Sequence, residues 1–260
     1  MTGTLADIQN IEWNAPNRGD LGPGEIHVWK VMLDRWLNRT DQLIEILSDE
    51  EIKQVKRFRF NLVGIRYATT HACLRLVLGR YLSQPAGEIK FRTGPGGKPY
   101  LEQDGSNPQK SLSFNISHSE DVLLISIAAQ AETGIDVEKI KPEFQHEQVS
   151  KLFFAPFEQA WIADFPPEIQ ETAFYRLWTC KEAVLKGEGS GMRIDLETVK
   201  IEFEDETSAA YCVLPVAEGE GQLWKIQLFV PAPQYTAALA YRFNASAAAK
   251  KSVKFFEWTG

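Results

Sequence analysis

The stretch FYRLWTCKEAVLKGEGSGM, residues 174–192, predicts a helix that ends in a glycine-rich turn. Glu182 and Lys186 stand four residues apart on it, so both side chains project from one helical face. From this segment alone, a solvated ion pair on an amphipathic helix explains the two residues. The glycines follow the helix, where carbonyls point outward and the helix dipole is negative. They therefore favour a C-cap at Gly187 over a phosphate-binding loop.

The composition predicts a folded globular protein. The chain has 260 residues, 44% hydrophobic and 24% charged, which is enough for one large domain or two moderate ones. It has no signal-peptide pattern at its start and no run of about eighteen apolar residues, so no membrane partner is expected. Cys73, Cys180 and Cys212 fit neither a zinc site nor a disulfide framework, and favour reduced thiols in a cytoplasmic protein.

Charge is distributed unevenly along the chain. The net charge of −7 argues against a general nucleic-acid binder. Residues 53–98, however, carry ten Lys or Arg and one acid, a net charge of +9. A solvated basic helix face would explain this segment, and a local site for a small polyanion is the alternative. A helix is predicted over residues 63–82, and Arg75 falls on its face opposite Arg66, so the basic residues cannot form one patch.

Helical and alternating patterns succeed one another twice along the chain. In the first half, a strand is predicted at residues 26–33, then the helix at 63–82, then strands at 112–118, 122–128 and 134–138. In the second half, helices at 145–154, 156–163 and 169–186 are followed by strands at 199–203, 223–230 and 236–241. This order favours an α+β fold of two similar lobes. We expect a loose N-terminal lead (residues 1–24), lobes over 25–133 and 134–245, and a C-terminal tail (246–260) that packs back or hangs free.

Carboxylates of the predicted strand at residues 134–138 offer a cation site. Asp136 and Glu138 lie two residues apart and face one side of the strand, where they repel each other unless a cation or protons intervene. Exposed at a strand end, they would simply be solvated. With Glu182 they would supply three oxygen ligands of the kind that Mg²⁺ prefers.

Two further segments carry groups that could bind an anion. The turn GPGGKP, residues 94–99, has Arg92 before it and Lys98 within it. Such a run is usually a hairpin connection, and a phosphate cradle is the alternative. The segment FNISHS, residues 114–119, places polar side chains beside a turn, those of Asn115, Ser117 and His118. No G-x-S-x-G motif surrounds Ser117, so a serine hydrolase is not expected.

Four motifs together resemble one family. GKP (residues 97–99), FNISHS (114–119), GIDVE (134–138) and WTCKEAVLK (178–186) occur in the order and spacing of 4′-phosphopantetheinyl transferases of the Sfp type. The resemblance covers roughly residues 26–242. It implies a monomeric α+β pseudo-dimer of two similar lobes, with the active site and coenzyme A in the cleft between them.

The resemblance implies roles for individual residues. Asp136, Glu138 and Glu182 match the family's Mg²⁺ ligands, and Asp136 is also expected at the coenzyme. Lys186 matches the lysine that stabilises charge on the departing diphosphate. Glu182, directly or through water, is the candidate base for the serine proton.

Other matches concern coenzyme A. Arg92 and Lys98 match basic groups at its phosphates and adenine, while Ser117 and His118 match positions that hold the 3′-phosphoadenosine and the diphosphate. Where relatives carry a basic residue for the 3′-phosphate, this chain has Gln54. The candidates to replace it are Lys53, Lys56, Arg57 and Arg66.

The implied reaction is transfer of 4′-phosphopantetheine from coenzyme A to a serine of an apo acyl or peptidyl carrier protein, with release of 3′,5′-ADP. The carriers would belong to fatty-acid, polyketide or nonribosomal peptide synthases. Two alternatives remain. One is a module that binds carriers or coenzyme A without chemistry, and the other is a Mg²⁺-dependent hydrolase of nucleotide diphosphates.

Overall fold

The computed structural model describes residues 5, 8, 11–15, 19–59, 61–94, 96–102, 112–142, 144–189, 191, 194–204, 209–215, 221–243 and 251–260. The fold is α+β, as predicted. The helices are α1 (Thr40–Ile44), α2 (Asp49–Arg57), α3 (Leu62–Leu82), α4 (His146–Phe153), α5 (Pro156–Ala163) and α6 (Pro167–Glu188). The strands are β1 (Glu25–Met32), β2 (Phe91–Thr93), β3 (Pro99–Leu101), β4 (Leu112–Ser119), β5 (Val122–Ala129), β6 (Ala131–Lys139), β7 (Glu202–Phe203), β8 (Ala209–Leu214), β9 (Gln222–Phe229), β10 (Tyr235–Phe243) and β11 (Ser252–Trp258).

The first sheet has the strand order β11-β1-β5-β4 and packs one face on α3. This helix begins after Asn61, whose side chain accepts hydrogen bonds from the N–H groups of Val63 and Gly64. Such an N-cap satisfies donors that the first helical turn leaves free. The shared core contains Trp29 of β1 and Val77 of α3. The helix predicted over residues 63–82 is therefore confirmed.

The second sheet, β6-β10-β9-β8-β7, is antiparallel throughout and packs one face on α6. Strand β10 serves two cores by alternation. Ala238 and Ala240 face the core beneath α6, whereas Ala237 and Leu239 face a core shared with Ile26 and other residues of the first sheet. The two sheets thus pack face to face, with α3 outside one and α6 outside the other.

Helix α6 lies directly on the second sheet because two glycines, which have no side chains, occupy the contact between helix and sheet. A Cβ at Gly134 would overlap the carbonyl oxygen of Ala183, and a Cβ at Gly187 would lie 2.6 Å from the ring of Trp224. Gly187 is therefore an interior residue of α6, and the predicted C-cap there is wrong. The helix ends two residues later at Gly189, which adopts φ +83°.

Gly134→Ala should lower the free energy of unfolding by about 1–3 kcal/mol, because the added methyl group must push α6 off β6. Urea denaturation of the purified protein measures the change. The matched control is Gly87→Ala, since a Cβ at that exposed position meets only backbone atoms of Ile46, the nearer at 3.8 Å. Equal stability of the two variants would contradict the close approach.

Segments near both ends of the described chain lie against the first sheet. Strand β11 pairs in parallel with β1, so this part of the predicted C-terminal tail is a sheet strand, with Phe255 and Phe256 buried. Next to it, Asn14 donates its N–H to the carbonyl of Phe255 at 3.0 Å. The expectation of a loose N-terminal lead is therefore wrong for residues 11–15. Burial of aromatic side chains stabilises the packing of both segments on the rest of the protein.

Several predicted boundaries also shift. The predicted lobe boundary between residues 133 and 134 falls inside β6, which pairs entirely within the second sheet. The chain turns instead at Gln130, with φ +58°, between β5 and β6. The strand predicted at residues 199–203 shrinks to β7, and β8 was not predicted. No described helix is long and apolar enough to cross a membrane.

Candidate active site

The edges of the two sheets meet at β4 and β6, where side chains make the connection. Polar residues at alternate positions of β4 accept hydrogen bonds from backbone N–H groups of β6. The pairs are Asn115 with Ile135 at 3.1 Å, Ser117 with Val137 at 3.3 Å, and Ser119 with Lys139 at 3.1 Å. We call this arrangement the side-chain zipper. It explains why polar residues recur with a period of two in FNISHS.

The zipper serines also hold the two carboxylates of β6. Ser117 donates to Asp136 Oδ1 at 2.9 Å, and Ser119 donates to Glu138 Oε2 at 2.9 Å. Both carboxylates therefore lie on the side of β6 that faces β4, as their spacing predicted. From α6, the Lys186 ammonium donates to Asp136 Oδ1 at 2.6 Å and to Ser117 Oγ at 2.9 Å. The structure thus joins Ser117, Asp136 and Lys186 in one centre.

Glu182 faces the same centre without a partner of its own. Among described residues, none forms an ion pair or side-chain hydrogen bond with its carboxylate, because Lys186 pairs with Asp136 instead. The solvated Glu182–Lys186 pair is therefore not formed. Burial, and then the negative charge of Asp136, raises the pKa of Glu182. The same two causes raise the pKa of Glu138, so the charge of Asp136 acts on both other carboxylates.

The donor set has the chemistry that a divalent cation requires. Asp136 is 2% exposed, and its Oδ2 is buried without a hydrogen-bond partner among the described residues. Burial raises the pKa of this carboxyl group. A nearby cation would relieve such a set of carboxylates. The oxygens do not form a closed coordination sphere, because no three metal-binding side chains cluster within the described ranges.

Basic groups lie on the other side of Lys186. His118 is exposed at the end of β4, and its pKa is lowered by partial burial, then by the positive charges of Lys186, Arg66 and His71. Arg66 is fixed by Asp121 at 2.8 Å and by the carbonyl of Glu120. Positive charges that lie close together repel one another, and they would all attract an anionic ligand bound between them.

Lys98 of the GPGGKP turn and Arg92 before the turn do not converge. Lys98 is buried and donates its ammonium to the carbonyls of Gly187 at 2.7 Å and Thr133 at 3.3 Å. Arg92 is exposed and stacks over the ring of Tyr100, 5.1 Å from its centroid. The turn is the hairpin connection between β2 and β3, and the ammonium of Lys98 anchors it to β6 and α6.

The burial of Lys98 should make stability depend on pH. Desolvation lowers its pKa from 10.5 to about 8. Between these values the unfolded chain binds more protons than the folded one, so stability should rise as the pH increases through this window. We expect the wild type to gain about 2 kcal/mol, relative to Lys98→Met, between about pH 7 and pH 10. Urea denaturation at both pH values tests this, and parallel curves for the two proteins would contradict it.

A cavity of about 710 Å³ opens beside these groups. Both halves of the chain line it, because Lys98 and Asn115 come from the first half and Glu182 and Lys186 from α6 in the second. Its volume lies in the range of small-molecule sites. Phe153 and Leu196 add apolar surface at its wall. The cavity therefore offers carboxylate, ammonium and apolar contacts to one ligand.

Comparison with known proteins identifies the family. Models described as "4'-phosphopantetheinyl transferase, N-terminal" and "4'-phosphopantetheinyl transferase superfamily" match residues 28–132 and 132–240. The 4'-phosphopantetheinyl transferase HetI of Nostoc sp. is 32% identical, over 83% of this chain and 87% of its own. This chain belongs to the 4′-phosphopantetheinyl transferase family. The transferase is also 30% identical to psf-1 of Bacillus pumilus, over 65% of this chain and 69% of that protein.

A 4′-phosphopantetheinyl transferase of Bacillus subtilis is 29% identical to the chain, over 69% of it and 77% of that protein. The resemblance based on four motifs is confirmed, and the chain is a 4′-phosphopantetheinyl transferase enzyme. Its two family matches meet at residue 132, inside β6. This junction agrees with two lobes that carry one sheet each.

One motif residue of the transferase has a structural role that the sequence did not reveal. Lys181 is fully buried, pairs with Glu158 at 2.8 Å, and donates to the carbonyls of Leu196 at 2.9 Å and Val199 at 2.6 Å. It thus ties α6 to α5 and to the segment that lines the cavity. Its neighbour Glu182 projects from another face of α6, since consecutive helical residues point about 100° apart.

Proposed function

We propose that this transferase moves the 4′-phosphopantetheine group of coenzyme A to a serine of an apo acyl or peptidyl carrier protein. The active site would be the cavity between the two lobes. The observation that carries the proposal is the centre of Ser117, Asp136 and Lys186, beside Glu182 on the cavity wall, whose carboxylate has no partner among the described residues. These groups combine a base, an ammonium and an anion-binding side, which a diphosphate substrate needs.

In the proposed reaction, the serine oxygen attacks the β-phosphorus of coenzyme A, and the bond from that phosphorus to 3′,5′-ADP breaks. Glu182 accepts the serine proton, directly or through a water molecule. Lys186 offers its ammonium to the 5′-phosphate of the departing 3′,5′-ADP, since it already lies between two oxygens at the site. Asp136 holds Lys186 in this position through the 2.6 Å contact.

We further propose Mg²⁺ as the metal and Asp136, Glu138 and Glu182 as its ligands. Two observations support this set: Asp136 Oδ2 has no hydrogen-bond partner in the part of the chain that the structure describes, and the pKa values of all three carboxyl groups are raised. When bound, the ion would neutralise charge on the diphosphate.

The 3′-phosphoadenosine portion is proposed to bind at the basic side. His118 and Arg66 would contact the 3′-phosphate, because the positive charge of Arg66 already acts on the His118 ring. Arg92, exposed beside Tyr100, is the remaining candidate for the adenine end. Lys98 would shape the wall of the coenzyme A cavity, since its ammonium already donates to backbone carbonyls.

The decisive experiment incubates the protein with coenzyme A, Mg²⁺ and a panel of apo carriers, and weighs each carrier by mass spectrometry. We expect a gain of one phosphopantetheine on at least one carrier, with 3′,5′-ADP formed in equal amount. No gain on any carrier would reject the proposal. Coenzyme A consumed without a carrier would indicate a hydrolase, and binding without 3′,5′-ADP would indicate a binding module.

A further inference from the structure

Four basic side chains at the junction of α2 and α3 are not used by the proposed chemistry. Lys53, Lys56, Arg57 and Arg59 are all exposed. Within the described parts of the chain, none of them forms an ion pair. Arg57 bonds only a neutral group, Gln54 Oε1, at 3.2 Å. In a protein of net charge −7, such a set of cations without acidic partners requires a reason.

Two apolar side chains are exposed at the same junction. Leu62 is 57% and Val63 is 56% exposed in the first turn of α3. Adjacent apolar residues with this exposure, rimmed by polar ones, are typical of interaction sites. We call the six residues the basic–apolar patch, which comprises Lys53, Lys56, Arg57, Arg59, Leu62 and Val63.

The patch has a fixed shape. Arg59 adopts φ +54°, a left-handed conformation that is costly for a residue with a side chain. Its N–H donates to the carbonyl of Lys56 at 3.0 Å, which closes a turn at the end of α2. Behind the turn, a Cβ at Gly64 would lie 3.0 Å from Phe58, so the two helices are in close contact. A partner would therefore meet a preformed surface, which reduces the entropic cost of binding.

The patch is continuous with the candidate active site. Arg66, one helical turn after Leu62 and Val63, binds Asp121 at 2.8 Å and the carbonyl of Glu120. These two residues form the turn that follows His118 and Ser119 of β4. A macromolecule bound on the patch would thus border the basic side of the site.

We propose that the basic–apolar patch docks the carrier protein, and that the carrier contacts it through an acidic surface with an apolar centre. The inference rests on the proposed function, which requires a protein substrate at the edge of the site. The positive charge of the patch is complementary to an acidic partner protein. The rest of this chain is itself largely acidic and would not attract such a partner. A nucleic acid is disfavoured, because its long polyanion would also meet the negative surface of the rest of the molecule.

The test compares charge reversal on the patch with the same change elsewhere. The variant is Arg59→Glu, and the matched control is Lys225→Glu, an exposed lysine of β9 in the second sheet. Steady-state transfer to an acidic apo acyl carrier protein gives kcat and separate KM values for the carrier and coenzyme A. We expect the carrier KM of the variant to rise about tenfold or more, with kcat and the coenzyme A KM unchanged.

Two further measurements separate the contributions of the charged and the apolar residues to carrier binding. Added salt should raise the carrier KM of the wild type more than that of the charge-reversed variant, because salt screens exposed charges. Leu62→Ser/Val63→Ser keeps all cations and should raise the carrier KM by a smaller factor. Both variants alter exposed residues only, and thermal unfolding checks that they fold.

Three results would overturn the inference. The first is an unchanged carrier KM in the charge-reversed variant, or an equal rise in Lys225→Glu. The second is a raised coenzyme A KM with an unchanged carrier KM, which would assign these cations to the 3′-phosphate. The third is a wild-type dimer that charge reversal makes monomeric. A wild type inactive on every carrier would instead reject the proposed function, and the docking inference with it.

Discussion

Glu182→Gln should lower kcat for phosphopantetheine transfer by about 10²- to 10⁴-fold, the range expected when a general base is removed. Glutamine has the same shape but cannot accept the serine proton. No described residue bonds the Glu182 carboxylate, so the substitution breaks no structural contact and the protein should remain folded. Mass spectrometry of the carrier measures the rate, and calorimetry measures coenzyme A binding without Mg²⁺.

The matched control for this prediction is Glu168→Gln, which makes the same change at an exposed position in the first turn of α6. Its kcat should equal that of the wild type. If Glu182→Gln retained wild-type activity, Glu182 would be neither the base nor a required metal ligand. The remaining carboxylates of the centre, Asp136 and Glu138, would then be the next candidates.

Lys181→Met should lower the free energy of unfolding by about 3–5 kcal/mol, the usual cost of removing one partner from a buried ion pair. Glu158 is 2% exposed, and without the ammonium it would be a buried, uncompensated charge. The remaining donors to its carboxylate are the N–H groups of Ala155 at 2.9 Å and Ile201 at 3.3 Å. Urea denaturation measures the loss.

The double variant Glu158→Gln/Lys181→Met separates charge from packing. Glutamine keeps the acceptor for Ala155 and Ile201 but carries no charge, so the pair of changes should restore most of the stability. A single Lys181→Met variant as stable as the wild type would show that the ion pair contributes little. A double variant as unstable as the single one would assign the loss to packing of the Lys181 chain.

Local sequence patterns were sufficient to predict much of the fold. The helix at residues 156–163 was predicted with its observed bounds, because a proline can start a helix and apolar residues then recur at helical spacing. Strands β4 and β5 alternate around a polar turn and were also recognised. Strand β11 was missed because its lysines and aromatic residues have no clear alternation, and its partner β1 is distant in sequence.

The candidate site was predictable in part. Spacing alone placed Asp136 and Glu138 on one side of their strand, and the order of four motifs identified the family. The contact between Lys186 and Asp136 was not predictable from spacing, since 50 positions separate them. Similarly, a lysine in a glycine-rich turn suggests a phosphate contact, whereas the ammonium of Lys98 is used by backbone carbonyls.

Strand β11 has a consequence for how the molecule folds. It flanks β1 on the side away from β5, although the ion pair between its Lys254 and Glu25 of β1 joins residues 229 positions apart. The whole second sheet is therefore synthesised before the first sheet receives this strand. Until then β1 has one open edge, and long-range pairing of this kind slows folding. The two lobes are thus interdependent folding units, since the first is completed by sequence that follows the second.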